Sequence, residues 1–153
     1  MIDNISIKEQ ITQELIRLLD EKIEFINQSI TAAKESRDNE TKSSVGDKYE
    51  TGRAMVQMEL EKHQAQRAQT ENLKNALSRI KPGEKCSSVE FGSFVSTPTG
   101  NYFFSIPFGK IEVAGETVFC LSLASPLGKM LAGKSEGARL SFQGKELVIR
   151  SIL

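Results

Sequence analysis

The sequence predicts an α+β protein: a long antiparallel helical hairpin of coiled-coil type, followed by a small antiparallel β domain that carries one short helix. Three observations predict it. No proline interrupts the chain before Pro82, and eight of the ten aromatic residues fall after residue 90. Heptad-like apolar spacing in the first half gives way to short apolar runs between turn residues in the second. We therefore expect two domains, a coiled-coil hairpin over 1–81 and a β domain over 85–153.

From Ile16 the apolar residues continue at Leu19, Ile23, Ile26, Ile30 and Ala33, in alternating gaps of three and four that suit a seam facing another helix. Leu15, Leu18 and Phe25 widen that stripe, and helix-favouring residues run on to about Thr41. Ser43-Ser44-Val45-Gly46-Asp47 then sets helix-stop and helix-start residues side by side. A second helix is expected from about Asp47 to Ile80, with Met55, Met58, Ala65, Ala68, Leu73, Ala76, Leu77 and Ile80 on its stripe. Lys62, Gln69 and Asn72 stand among its seam candidates, so aliphatic stems and small residues would fill the middle. Two helices of similar length joined by a short turn pair antiparallel.

Lys81-Pro82-Gly83 ends the hairpin, because proline cannot extend a helix and glycine frees the backbone where the direction changes. Beyond it, strands are expected over Val89–Val95, Tyr102–Ile106, Glu116–Leu123, Leu140–Phe142 and Glu146–Ile152. Pro98-Thr99-Gly100, Phe108-Gly109 and Gln143-Gly144 supply turns. Ser125-Pro126, with the closing Gly133, marks a short helix: serine caps it, proline opens it and glycine ends it.

Twenty Lys plus Arg balance twenty Asp plus Glu. No basic field is available to hold nucleic acid by counterion release, which points to a protein partner. The N-terminus has no apolar run long enough for a signal peptide or a membrane span, so a soluble, cytoplasmic protein with no membrane contact is expected. Cys86 and Cys120 lie far apart with no Cys or His at zinc-ligand spacing, and read as reduced structural thiols.

The candidate site is Gly46-Asp47-Lys48-Tyr49-Glu50. Asp47 and Glu50 stand three residues apart at a helix start, on one side of the helix, at the end of an arm of roughly 50 Å at the usual rise per residue. A carboxylate pair on such an arm can be delivered into a channel of another molecule. The same spacing also makes a capping box, in which both acids bond orphan backbone amides and benefit from the helix dipole. Spacing alone favours the cap, and both roles are compatible.

The Gly-Asp-x-x-Glu turn between long helices, followed by Ser-Pro-Leu-Gly-x-x-Leu-x-Gly-Lys from Ser125 to Lys134 and a final Ile-x-x-Ile strand, resembles the Gre family of transcript cleavage factors. The resemblance spans nearly the whole chain. It implies an FKBP-like fold for the β domain and a coiled coil inserted through the secondary channel of bacterial RNA polymerase. Nascent RNA and DNA would be met only inside the polymerase complex, and the factor itself would be a monomer. It further implies that Asp47 and Glu50 help hold a Mg²⁺ ion shared with the polymerase active site, where cleavage of backtracked RNA is stimulated. The polymerase would be the enzyme and this chain an accessory transcription elongation factor.

Magnesium chemistry is compatible with that role, since Mg²⁺ takes oxygen ligands, keeps several waters and needs only one or two protein carboxylates. Thr51 and Gly52 stand where Gre-like tips usually continue with asparagine, which keeps open a second reading: a Gre-like channel regulator that does not promote cleavage. A third class, a prolyl isomerase or chaperone, follows from the FKBP-like fold. It would need an apolar pocket rimmed by aromatics that so small a sheet requires for its core.

Tyr49 is a candidate for stacking at the tip, and also for packing across the partner helix. Lys129 and Lys134 on the short helix are candidates for docking on the polymerase rim. Arg37, Lys42, Lys48 and Arg53 read first as a solvated charged face. His63 lies mid-arm and reads as an exposed helix position, and Ser125 reads as a cap with no base beside it.

Overall fold

The structure, a computed structural model, describes the backbone over residues 4–42 and 46–153, with side chains over 7–39 and 50–153. Two long helices open the chain, α1 (Asn4–Lys42) and α2 (Gly46–Leu77). Their 39 and 32 residues correspond to about 58 and 48 Å of helix. The chain groups into two compact units, the part up to Ile16 together with Asn75–Leu153, and Arg17–Lys74 between them.

Within Arg17–Lys74 the helices pair antiparallel. Ile26, Ile30 and Ala33 of α1 bury against Leu60 of α2, with Val56 packed beside them. Lys74 Nζ lies 2.7 Å from the Asp20 carboxylate, and Arg67 donates to Asn27 Oδ1 at 3.0 Å. Asn27 is seven residues beyond Asp20 and Arg67 is seven residues before Lys74, so one heptad separates the two contacts on each helix, as an antiparallel coiled coil requires.

This register corrects the stripe expected for α2. Met55 (66% exposed) and Met58 (70%) face away from the seam. Ala65, Ala68, Lys62, Gln69 and Asn72 are exposed as well. Val56, Leu60, His63, Arg67 and Thr70 take the inward positions, with Leu60 and Thr70 buried and the other three half-buried. His63 is thus not the exposed position expected, and its Nε2 lies 3.5 Å from Glu59 one turn away. On α1, Leu19, Ile26, Ile30 and Ala33 hold the expected seam, whereas Phe25 is 70% exposed.

In the other unit α2 tightens before it stops. Ser78, Arg79 and Ile80 N–H groups each bond the carbonyl three residues back, which ends the regular helix at Leu77 and not Ile80. Strands β1 (Ser93–Thr97), β2 (Gly100–Phe104), β3 (Gly109–Val113) and β4 (Glu116–Leu121) follow, then helix α3 (Pro126–Leu131), and strands β5 (Arg139–Phe142), β6 (Lys145–Val148) and β7 (Ser151–Ile152). One sheet runs β3-β4-β2-β1-β7, and β5-β6 form a separate ribbon.

The sheet is mainly antiparallel, as expected, except that β2 and β4 run parallel with Phe103 beside Cys120. The crossover they need is supplied by residues 105–115, which include β3. Strand β3 was not among the expected strands. The expected Val89–Val95 strand starts only at Ser93, and Glu146–Ile152 divides into β6 and β7, which belong to different sheets. Two of the three tight hairpins, β3-β4 and β5-β6, turn through paired left-handed residues, Ala114 (φ 52°) with Gly115 (φ 77°) and Gln143 (φ 51°) with Gly144 (φ 77°), whereas β1-β2 turns through Pro98 and Thr99. The first two are type I′ turns, which match strand twist.

Helix α3 closes one face of the sheet. Leu127 and Leu131 bury with Val95, Phe104, Leu147 and Ile152. Phe94, Phe103 and Cys120, adjacent across β1, β2 and β4, are buried in the opposite row. Ser125 caps α3 as the sequence leads one to expect: its Oγ accepts from Gly128 N–H at 3.0 Å, with Pro126 at the first turn. Gly128 has a different duty. A Cβ there would meet Ser122 O at 2.4 Å and Leu123 Cα at 2.7 Å, so α3 approaches the preceding backbone at a distance only glycine permits.

Candidate functional site

Helix α1 extends to Lys42 and α2 starts at Gly46; residues 43–45, on which the expected turn falls, lie outside the described residues. Asp47 is the second residue of α2 and Glu50 the fifth, so Asp47 stands in the first turn, where the helix dipole favours negative charge, and Glu50 just beyond it. With Asp47 inside the helix, the two do not hold the N-cap and third positions that the expected capping box requires. The Glu50 side chain is exposed. The side chains of Asp47 and Tyr49 lie outside the described residues. Thr51, next in sequence, is helical and exposed, and Gly52 is helical and half-buried.

Two carboxylates three residues apart supply oxygen donors suited to Mg²⁺, but only part of a coordination shell, so water and another molecule would complete it. Among the described residues, which exclude the Asp47 side chain, no three His, Cys, Asp or Glu side chains converge on a common point. The donor chemistry fits an ion shared with a partner.

The remaining site candidates fall elsewhere. Lys129, on α3, and Lys134, just beyond Gly133 (φ 78°), are both exposed. They belong to the β-containing unit, whereas Glu50 belongs to the hairpin unit. Ser125 Oγ donates to Ser122 O at 2.7 Å while it accepts from Gly128, which commits it to the cap. Phe94, Phe103 and Phe104 are buried in the core. A groove of about 420 Å³ is lined by Lys85, Cys86, Ser87, Ser135 and Glu136, and a second of about 200 Å³ is lined mainly by charged residues. Phe91 is the one aromatic residue in either lining, so neither is a pocket rimmed by aromatics.

Sequence reasoning overlooked Lys8. Its side chain is 2% exposed, and Nζ donates to Glu84 O at 2.8 Å and to Cys86 Sγ at 3.7 Å. Burial pushes the Cys86 thiol up, a hydrogen bond to Glu90 adds to the rise, and the Lys8 charge opposes it. The available signal was helical spacing, because Lys8 precedes the buried Ile11 by three residues and Leu15 by seven. Tracing the buried face back from Leu15 through Ile11 finds it.

Among the described residues no helix is long and apolar enough to cross a membrane. No protein-family model and no curated protein matches the sequence.

Proposed function

We propose that this protein is a Gre-like transcription elongation factor that enters the secondary channel of RNA polymerase with its helical hairpin and stimulates cleavage of backtracked nascent RNA. The observation that carries the reading is the antiparallel helix pair with the carboxylates near the start of α2. Two helices pair antiparallel, and the second carries Asp47 and Glu50 within one helical turn of each other near its start, with Glu50 exposed. The order of parts supports it as well, since a small β unit with the Ser125-capped helix follows the hairpin, as the Gre resemblance implies.

In this reading the seam residues keep the helices in register, and the start of α2 presents carboxylates beside the polymerase active site. Asp47 and Glu50 contribute oxygen ligands and accept hydrogen bonds from the attacking water. A Mg²⁺ ion shared with the polymerase supplies Lewis-acid activation of that water when bound. Lys129 and Lys134 are the proposed docking contacts on the polymerase rim, and Tyr49 is proposed to touch RNA or polymerase within the channel. The chain acts as an accessory factor in the cytoplasm, as a monomer, while the polymerase performs the chemistry.

A second reading keeps the channel but drops cleavage, and one observation favours it: Thr51 and Gly52 replace the amide side chain that Gre-like tips carry after the glutamate. The two readings separate in one experiment. Wild-type protein, Asp47→Ala and Glu50→Ala are added to stalled elongation complexes, and both polymerase binding and released RNA are measured. The cleavage factor releases short RNA, and each variant binds as wild type does but releases little. The regulator binds and releases none, and absence of binding removes both.

A further inference from the structure

We propose that Lys8 and Cys86 form an oxidant-triggered covalent crosslink that ties the start of α1 to the loop after α2. The two groups are already in van der Waals contact, with Nζ 3.7 Å from Sγ. The amine is held there: Lys8 is 2% exposed and Nζ is anchored on the Glu84 carbonyl at 2.8 Å. A lysine in water samples many rotamers, so burial and the carbonyl anchor remove most of the entropy that bond formation would otherwise cost.

The sulfur is the reachable partner. Cys86 is 8% exposed and lines both the groove of about 420 Å³ and the one of about 200 Å³, which gives a small hydroperoxide a route toward it. Cys120 lines neither groove. It is fully buried in the sheet, and burial pushes its thiol up to about 12. One cysteine is therefore placed for reaction and the other serves as an internal reference.

The chemistry has two steps. The Cys86 thiolate attacks the O–O bond of a hydroperoxide, forming sulfenic acid and releasing the alcohol or, from hydrogen peroxide, water. The sulfur loses two electrons and the peroxide gains them. Lys8 first releases a proton to water in the adjoining groove; its neutral amine then attacks sulfur, the S–O bond breaks, and the hydroxyl leaves as water with a second proton from nitrogen. The product is a Cys86–Lys8 sulfenamide, lighter than the two free side chains by two hydrogen atoms. Excess thiol attacks its sulfur and restores both residues. The raised Cys86 thiol makes the first step slow, which suits a response to sustained oxidant more than to a brief pulse.

The test is peptide mapping of the full-length protein after hydrogen peroxide treatment and digestion at glutamate, which yields peptides 1–9 and 85–90. The expected result is a joined peptide at the summed mass less two hydrogens. It should disappear with dithiothreitol and be absent from Lys8→Arg, where Cys86 instead advances to sulfinic acid. Cys120 stays a free thiol throughout. If wild type yields only separate peptides with Cys86 oxidised to sulfinic acid, or if Lys8→Arg resists overoxidation equally well, the crosslink is wrong. Far-UV circular dichroism of each variant before oxidation establishes that it is folded.

Discussion

The two compact units are stabilised in different ways. In the β-containing unit, Phe104, Leu131, Ile149 and their neighbours bury almost completely in one cluster between sheet and helix. In Arg17–Lys74 the apolar cluster is a narrow seam of Ile26, Ile30, Ala33 and Leu60, and farther along the pairing passes to Asn27–Arg67 and Asp20–Lys74. A thick apolar core supplies stability, because hydrophobic burial scales with area. These partly exposed polar contacts add little energy but record which residues face each other. The hairpin is thus specified in register more strongly than it is stabilised.

Gly128→Ala should have the largest effect on stability. Its methyl group would enter the Ser122 and Leu123 backbone, which cannot yield as a side chain does. We expect a loss of about 3 kcal/mol or more in denaturant unfolding, and a loss below about 0.5 kcal/mol would mean that α3 is free to shift. In the hairpin, Leu60→Ala should cost about 2 kcal/mol, at the low end for a buried leucine, and Met58→Ala about 0.5 kcal/mol or less. Equal losses at the two positions, measured by the same denaturant titration, would restore the outward stripe as the seam.

A pH effect comes next and is confined to the β-containing unit. Folding raises the Cys120 thiol from 9.0 to about 12 by burial. Its neutral form therefore contributes stability that is complete below pH 9.0 and is lost progressively as pH rises toward about 12. Unfolding free energies of wild type and Cys120→Ala, followed over that range, should converge as pH increases; parallel curves would contradict the assignment. A modest effect is expected at the polar seam. A double-mutant cycle of Asn27→Ala with Arg67→Ala should yield a coupling of about 1 kcal/mol, and a coupling of zero would leave the register without that contact.

Much of the fold is legible in the sequence because its signals are local. The absence of proline before Pro82, the heptad spacing of α1 and the Ser125-Pro126 start of α3 each report on a few neighbouring residues. What is not legible depends on distant partners. The stripe through Met55, Met58 and Ala65 and the one through Val56, Leu60 and Thr70 offer similar apolar content, and only pairing with Asp20 and Asn27 selects the second. Strand β3 contributes only Ile111 and Val113 as buried residues, alternating with Lys110 and Glu112, a weak signal of period two. The parallel pairing of β2 with β4 has no local signature. At the candidate site, sequence supplies the identity and spacing of Asp47 and Glu50, whereas the exposure of Glu50 emerges only with the fold. Lys8 was hidden because a charged residue on an apolar stripe is read as its boundary.

The most direct measurement of the central claim is RNA release from backtracked polymerase in the presence of Mg²⁺, comparing wild type with the Asp47→Ala/Glu50→Ala double variant. Wild type should shorten the transcript from its 3′ end and release a small RNA fragment, while the double variant should remain bound to the polymerase and leave the transcript at its original length. Equal cleavage by the two proteins would contradict the proposal that these carboxylates act in the channel.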